Sequence, residues 1–193
     1  MNRLEKLEEQ VKRLYTEKDP RRADWADWLF ENHVLIVANY ASTLAEKYDA
    51  NAELARTAAL LHDIADTCTK RSDKEHETIS LTMARQIMAE CGYNEDEIKL
   101  IVDDAIRFHS CHGYERPSSQ EGKILATADA LAHFKTDYYV YTTWAFGREM
   151  TLPEVKQWVL KKIERDFHIK IFFNPTREEV RSDYEHLKAL FSR

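Results

Sequence analysis

The sequence predicts an all-α fold built as a bundle of helices. Only four glycines and four prolines occur in 193 residues, too few to punctuate the many short strands of a sandwich or barrel. Apolar residues also recur at three- and four-residue intervals through most of the chain, the spacing that lines one face of a helix. Helix-capping signals fall between these stretches, where helix ends are needed.

The elements follow in order. Residues 3–18 read as a charged amphipathic helix ending before Asp19-Pro20. Residues 24–48 read as a long helix with Val34, Val37, Ala41, Leu44 and Tyr48 in line. An alanine-rich helix follows over 51–65, with Asn51 placed as its N-cap. Residues 66–74 are polar and loop-like, and Ser72-x-x-Glu75 has the form of a capping box opening a helix over 73–91. Gly92 is placed to end that helix. Asn94-x-x-Glu97 opens the next, which runs to about His109. Residues 110–117 form a loop closed by Pro117, and Ser118-x-x-Glu121 caps a helix over 119–134. Residues 136–148 are rich in aromatic and β-branched side chains, and their state is ambiguous. Pro153 suits the first turn of a helix over 152–167. Residues 169–173 are short and apolar, and a last helix covers 176–191. With no repeat and no clear linker, the chain reads as a single domain over 1–193. Its core spans 24–135, the N-terminal helix is 3–18, and a C-terminal helical extension covers 150–193.

Hydrophobic residues make up 44% of the chain, enough for a sizeable core, and charged residues 32%. The net charge of −6 argues against bulk attraction to nucleic acid. A small anionic substrate remains open where positive charge is local or carried by metal. Cys68, Cys91 and Cys111 form no C-x-x-C pair, which fits a reducing cytoplasm rather than a disulfide framework. The N-terminus lacks the apolar core of a signal peptide, and no apolar run approaches membrane-spanning length. The expectation is a cytoplasmic protein with neither a membrane nor a nucleic-acid partner, while homo-oligomerisation stays open.

The chemistry-bearing residues lie on the faces meant for the core. His33 is in line with Leu29, Val37, Tyr40 and Leu44, and His62 with Ala55, Ala59 and Asp66. His76 is in line with Ile79, Met83 and Ile87, His109 with Ile98, Val102 and Ala105, and Asp129 with Leu125 and Ala132. Any one inward histidine is explained by a hydrogen bond in the core. An inward carboxylate is not so easily explained, because burying it costs several kcal/mol or shifts its pKa. A shared cation accounts for the whole set at once: it neutralises the carboxylates and uses the imidazole lone pairs.

The order His33, His62-Asp63, Asp129 resembles the H…HD…D pattern that defines the HD-domain superfamily. The surroundings resemble it too, in Glu31-Asn32-His33-Val34, Leu60-Leu61-His62-Asp63-Ile64, and Glu121-Gly122-Lys123-Ile124 ahead of Ala128-Asp129-Ala130-Leu131. His76 and His109 stand at the positions of the two additional histidines of binuclear members. The resemblance covers about residues 25–135 and implies an HD-type helical bundle. It implies that His33, His62, Asp63 and Asp129 bind a first metal, and that His76, His109 and a bridging Asp63 hold a second. Such metals lower the pKa of bound water and offset charge on a phosphoryl group. The nitrogen-rich ligand set favours one or two divalent ions of Mn, Fe, Co, Ni or Zn over Mg. Asp66, one turn after His62, matches an acidic residue that in some members works on the attacking water.

The function expected is hydrolysis of a phosphate ester or anhydride in a small, nucleotide-like, phosphorylated substrate. A di-iron oxygenase with the same ligand order is the rival enzyme, and a non-catalytic metal- or nucleotide-binding regulatory module is the rival from outside enzymology. The remaining signals read more plainly. Lys70, Arg71 and Lys74 follow the His62-Asp63 turn and read as a solvated loop with contact to a phosphate as the alternative, Lys123 reads the same way, and Cys111-His112 read as loop rather than as a zinc site. Tyr138, Tyr139, Tyr141 and Trp144 are core or interface, and His133, His168 and His186 lie at the surface or behind the ligands.

Overall fold

The computed structural model describes residues 1–147 and 150–193, and no strand occurs among them. The expected all-α class is borne out. Helix α1 spans Arg3–Thr16, opened by an Asn2 capping box closed reciprocally by Glu5. A short α2, Ala26–Leu29, passes through a π-helical turn over Phe30–Val34 into α3, Leu35–Lys47. Helix α4 covers Ala52–Leu61, capped by Asn51, and a 3-10 turn follows over Ile64–Thr67. Helix α5 is His76–Cys91. Helix α6, Glu95–Ile98, continues as a π-helix over Lys99–Ile106. Helix α7 is Gln120–Lys135, α8 Tyr138–Phe146 and α9 Leu152–Arg165, which runs into a π-helical turn over Asp166–Lys170. Helices α10, Asn174–Glu179, and α11, Arg181–Phe191, close the chain.

Helices α3, α4 and α7 form the centre. Their facing residues are small: Ala38, Ala41 and Ala45 on α3, Ala55, Ala58 and Ala59 on α4, and Ala126, Ala128 and Ala132 on α7, all fully buried. Small side chains let the backbones approach closely, so a side chain from any of the three can reach the middle. Helix α7 is buried on nearly every side from Gly122 to Phe134, as a central helix must be. Helix α1 packs on α4 and α5 through Leu7, Val11 and Tyr15. Arg3 fastens its start to Glu53 at 2.5 Å and Glu97 at 2.8 Å, with the guanidinium over the Tyr93 ring.

Several boundaries differ from the sequence reading, each for a local reason. Helix α5 begins at His76 because Asp73, not Ser72, closes the preceding turn, accepting from the Glu75 N–H at 2.9 Å. The buried face of α5 is therefore His76, Ser80, Ala84 and Ile87, with Ile79 and Met83 only half-buried. Helix α7 is capped by Ser119 rather than Ser118: its Oγ accepts from the Gly122 N–H at 3.0 Å and donates to Asp104, which also holds Ser118. The ambiguous segment is helical over Tyr138–Phe146, and its last residue, Arg148, lies outside the described residues. Gly92 ends α5 at φ 92°, and Asn94 and Glu97 form both halves of their capping box, as expected.

One glycine is required by space. A Cβ on Gly122 would stand 2.5 Å from Pro117 Cβ and 3.0 Å from Asp104 Oδ2 and Ser119 Oγ. In an open helix Gly→Ala gains about 1 kcal/mol in propensity. Here the overlap with a rigid proline ring reverses the sign. Gly122→Ala is expected to destabilise by about 1–3 kcal/mol, the usual scale of overpacking, read by urea unfolding. Unchanged or raised stability would mean that the Pro117–Gly122 turn yields freely.

Candidate metal centre

Five of the six expected ligands meet where α3, α4 and α7 converge. His33 comes from the π-helical turn over Phe30–Val34, His62 from the C-cap of α4, and Asp63 from the residue after it. His109 follows the π-helix over Lys99–Ile106, and Asp129 sits in the middle of α7. Both histidines thus lie in or beside π-helical turns, which are frequent at functional sites.

The His33 and His62 Nε2 atoms are 3.2 Å apart, and His33 Nε2 is 3.2 Å from Asp129 Oδ1. His62 Nε2 is 3.5 Å from Asp63 Oδ2. Ligand atoms of His33, His62 and Asp129, and of His62, Asp63 and His109, form two groups each within 4.8 Å. Adjacent donors about 2.1 Å from a shared ion stand roughly 3.0–3.4 Å apart, so these spacings suit one coordination sphere. The hydrogen bonding agrees. His62 Nδ1 donates to the Ala59 carbonyl at 2.7 Å and His109 Nδ1 to the Ile106 carbonyl at 2.6 Å, which leaves both Nε2 atoms with free lone pairs. Asp129 Oδ1 is buried without a hydrogen bond, although His33 and His133 approach it, and His33 Nδ1 is likewise unsatisfied. An orphaned carboxylate oxygen beside converging imidazoles is what a divalent cation would complete.

Burial holds the His33 pKa down at about 4, against the pull of Asp129. Burial holds His109 at about 3, helped by His62 and Lys170. Both imidazoles are thus neutral at physiological pH, the form that binds metal. Burial pushes the Asp63 carboxyl up, but Arg71 and His62 outweigh it and hold it well below the usual range. Asp129 is likewise held well below by His133 and Lys170 against the effect of burial.

His76 is placed differently. Its Nε2 lies 3.0 Å from Asp66 Oδ1, and Asp66 is fully buried and paired with Arg71. Asp66 therefore engages His76 and Arg71, and His76 belongs to neither group of converging ligand atoms.

The sequence reading missed the cations. Arg71, expected in a solvated loop, reaches back to Asp63, Nη1 to Oδ1 at 2.8 Å and Nη2 to Oδ2 at 2.7 Å. Lys170, fully buried in the segment read as apolar, pairs with Asp129 Oδ2. His133 is buried behind the ligands, stacked on His33 at 5.2 Å, between Asp129 at 3.0 Å and Asp166 at 2.8 Å. Its position four residues after Asp129, on the same helical face, was a usable signal. Nothing in the spacing pointed to the pairing of Arg71 with Asp63 or of Lys170 with Asp129.

The centre opens into a cleft of about 450 Å³. Helix α9 and the turn after it supply a basic wall of Lys161, Lys162, Arg165 and Lys170, with Trp158 beside it. Burial lowers Lys162 to about 8, with Asp166 at 3.3 Å opposing that effect. Arg165 Nε is buried without a hydrogen-bond partner, while its Nη1 meets His112 at 3.0 Å. Among the described residues no helix is long and apolar enough to cross a membrane.

Comparison with known proteins places this architecture. Residues 30–133 match the HD domain family. Ribonuclease Y of Thermotoga petrophila is 36% identical over 101 residues, which is 52% of this chain and 18% of that protein. Ribonuclease Y of Treponema denticola is 35% identical over 100 residues, 52% of this chain and 18% of that protein. The chain thus spans under a fifth of the length of these relatives. The crystal structure of YpgQ from Bacillus subtilis superposes with a TM-score of 0.65 at 17% identity, covering 98% of this chain and 93% of that one.

The buried neutral imidazoles predict a pH dependence. With His33 at about 4 folded and about 6.5 unfolded, the unfolded chain takes up its proton first as pH falls. Stability of the metal-free protein should be full above about pH 6.5 and fall towards pH 4, by on the order of 3 kcal/mol for His33. Mn should raise the melting temperature at neutral pH and less in mild acid, because protonated imidazole does not ligate. Melting curves with EDTA and with Mn at both conditions check this. Curves that coincide under all four conditions would mean that protein groups alone satisfy the site.

Proposed function

Because the chain belongs to the HD domain family, a family of metal-dependent phosphohydrolases, we propose that it hydrolyses a phosphate ester or anhydride in a nucleotide-like small molecule. The observation that carries this reading is that one cleft joins the imidazole–carboxylate cluster to a basic wall. In this reading His33, His62, Asp63 and Asp129 hold a divalent transition ion. The ion, when bound, lowers the pKa of its water and draws charge from a phosphoryl oxygen.

The chain's own residues do the rest. Lys161 and Arg165 on the cleft wall bind phosphate oxygens through charge-assisted hydrogen bonds. Lys170 and His133 keep Asp129 in place. Asp66 acts by fixing Arg71 and His76 rather than on the attacking water, since its carboxylate is buried and engaged by both. A small molecule suits the cleft volume better than a nucleic-acid strand does. The basic wall lies beyond residue 133, outside the segment matched to the family, and the net charge of −6 disfavours a polyanionic strand.

A nucleotide panel incubated with Mn under nitrogen, with phosphate and pyrophosphate release read separately, tests this reading. Turnover without oxygen is expected, abolished in Asp129→Asn. Lys161→Ala and Arg165→Ala should each raise KM about tenfold, the equivalent of about 1.4 kcal/mol, with kcat less affected. Turnover that requires iron and consumes oxygen would replace hydrolysis with oxygenation. Metal uptake with no turnover on any phosphorylated compound would leave a binding module.

A further inference from the structure

The two candidate ligand groups share His62. Its Nδ1 is committed to the Ala59 carbonyl, so only Nε2 is free, and one lone pair serves one ion. Filling the His33/His62/Asp129 group therefore leaves a second ion only Asp63 and His109 nearby. Asp63 can serve the first ion through Oδ2, which lies 3.5 Å from His62 Nε2, but Oδ1, the oxygen left to bridge to a second ion, already accepts from Arg71 Nη1 at 2.8 Å. His76, the remaining nitrogen donor on that side, is tied to Asp66 at 3.0 Å.

Arg71 is held in this position from several sides. It bridges Asp63 and the fully buried Asp66, and its guanidinium lies 4.9 Å from the centre of the Trp25 ring. Its side chain is still 36% exposed and lines the cleft. A guanidinium cannot be displaced by losing a proton, as a histidine or lysine can. A second divalent ion bound through Asp63 would have to sit against that fixed charge.

We propose that Arg71 supplies the second positive charge of this centre from within the chain, so that the protein binds one divalent ion, in the His33/His62/Asp63/Asp129 group. Arg71 then does what a second ion does elsewhere: it neutralises Asp63 and turns N–H donors towards the phosphoryl group in the cleft. The proposal rests on the reading of the cluster as a metal centre, and the experiment separates the two.

The measurement is metal stoichiometry, by calorimetric titration of dialysed protein with Mn and by elemental analysis, with Mn electron paramagnetic resonance to detect a coupled pair. Wild type should saturate at one equivalent with an uncoupled spectrum. Arg71→Ala should take up a second equivalent and show coupling, and Arg71→Lys, which keeps the charge, should stay at one. Two equivalents in wild type would overturn the proposal and leave the metal centre standing. One equivalent in a folded Arg71→Ala would overturn it as well, because the arginine would not be what excludes the second ion. No binding to wild type would overturn the metal centre itself and the proposal with it. Should Arg71→Ala fail to fold because Asp66 is left unpaired, the wild-type stoichiometry and the Arg71→Lys spectrum still decide: a coupled pair in either one overturns the proposal.

Discussion

Burying carboxylates in a helical bundle is costly unless cations meet them, and the arrangement of this protein answers that constraint. Asp63 is 6% exposed, Asp129 4%, and Asp66 and Asp166 not at all. Each has a positive partner: Arg71 for Asp63 and Asp66, Lys170 for Asp129, Lys162 for Asp166. Two of their oxygens have no hydrogen bond, Asp129 Oδ1 and Asp166 Oδ1, and the first faces the imidazoles of His33 and His133. The chain compensates most of its buried charge from within and leaves an unfilled acceptor, Asp129 Oδ1, among the candidate metal ligands.

The C-terminal extension is part of this balance rather than an appendage to it. Lys162, Asp166 and Lys170 come from α9 and the π-helical turn after it, beyond the segment matched to the family. They reach Asp129 directly and through His133. Tyr139, from α8, also donates to Asp166 at 2.7 Å. The same stretch of chain thus braces a ligand carboxylate from behind and lines the cleft with positive charge in front. At the other end, α1 also touches the centre, since the Tyr15 hydroxyl donates to the Asp63 carbonyl at 3.0 Å.

Irregular helical turns cluster at the centre. His33 lies in a π-helical turn, His109 just beyond another, and Lys170 ends a third. The alanine-lined contacts of α3, α4 and α7 make room for the side chains that do point inward.

The sequence by itself determined the helical class, most element positions and the inward faces of His33, His62, His109 and Asp129, while the resemblance to the HD-domain pattern added Asp63 to them. Those features are written in local periodicity and in capping residues, which act over a few positions along the chain. Its errors were of one kind. Where two residues could serve as a cap, as Ser118 and Ser119, local sequence did not separate them, and both also reach a distant Asp104. His76 sat on an inward face, but its partner was decided by the loop that carries Asp66 and Arg71. Arg71 and Lys170 looked like a surface charge and an isolated lysine, because nothing in their spacing relates them to Asp63 or Asp129, forty-one residues distant in the second case. A long flexible side chain takes its partner from whatever charge folding brings within reach. That pairing is an electrostatic consequence of the tertiary structure, and only the tertiary structure could decide it.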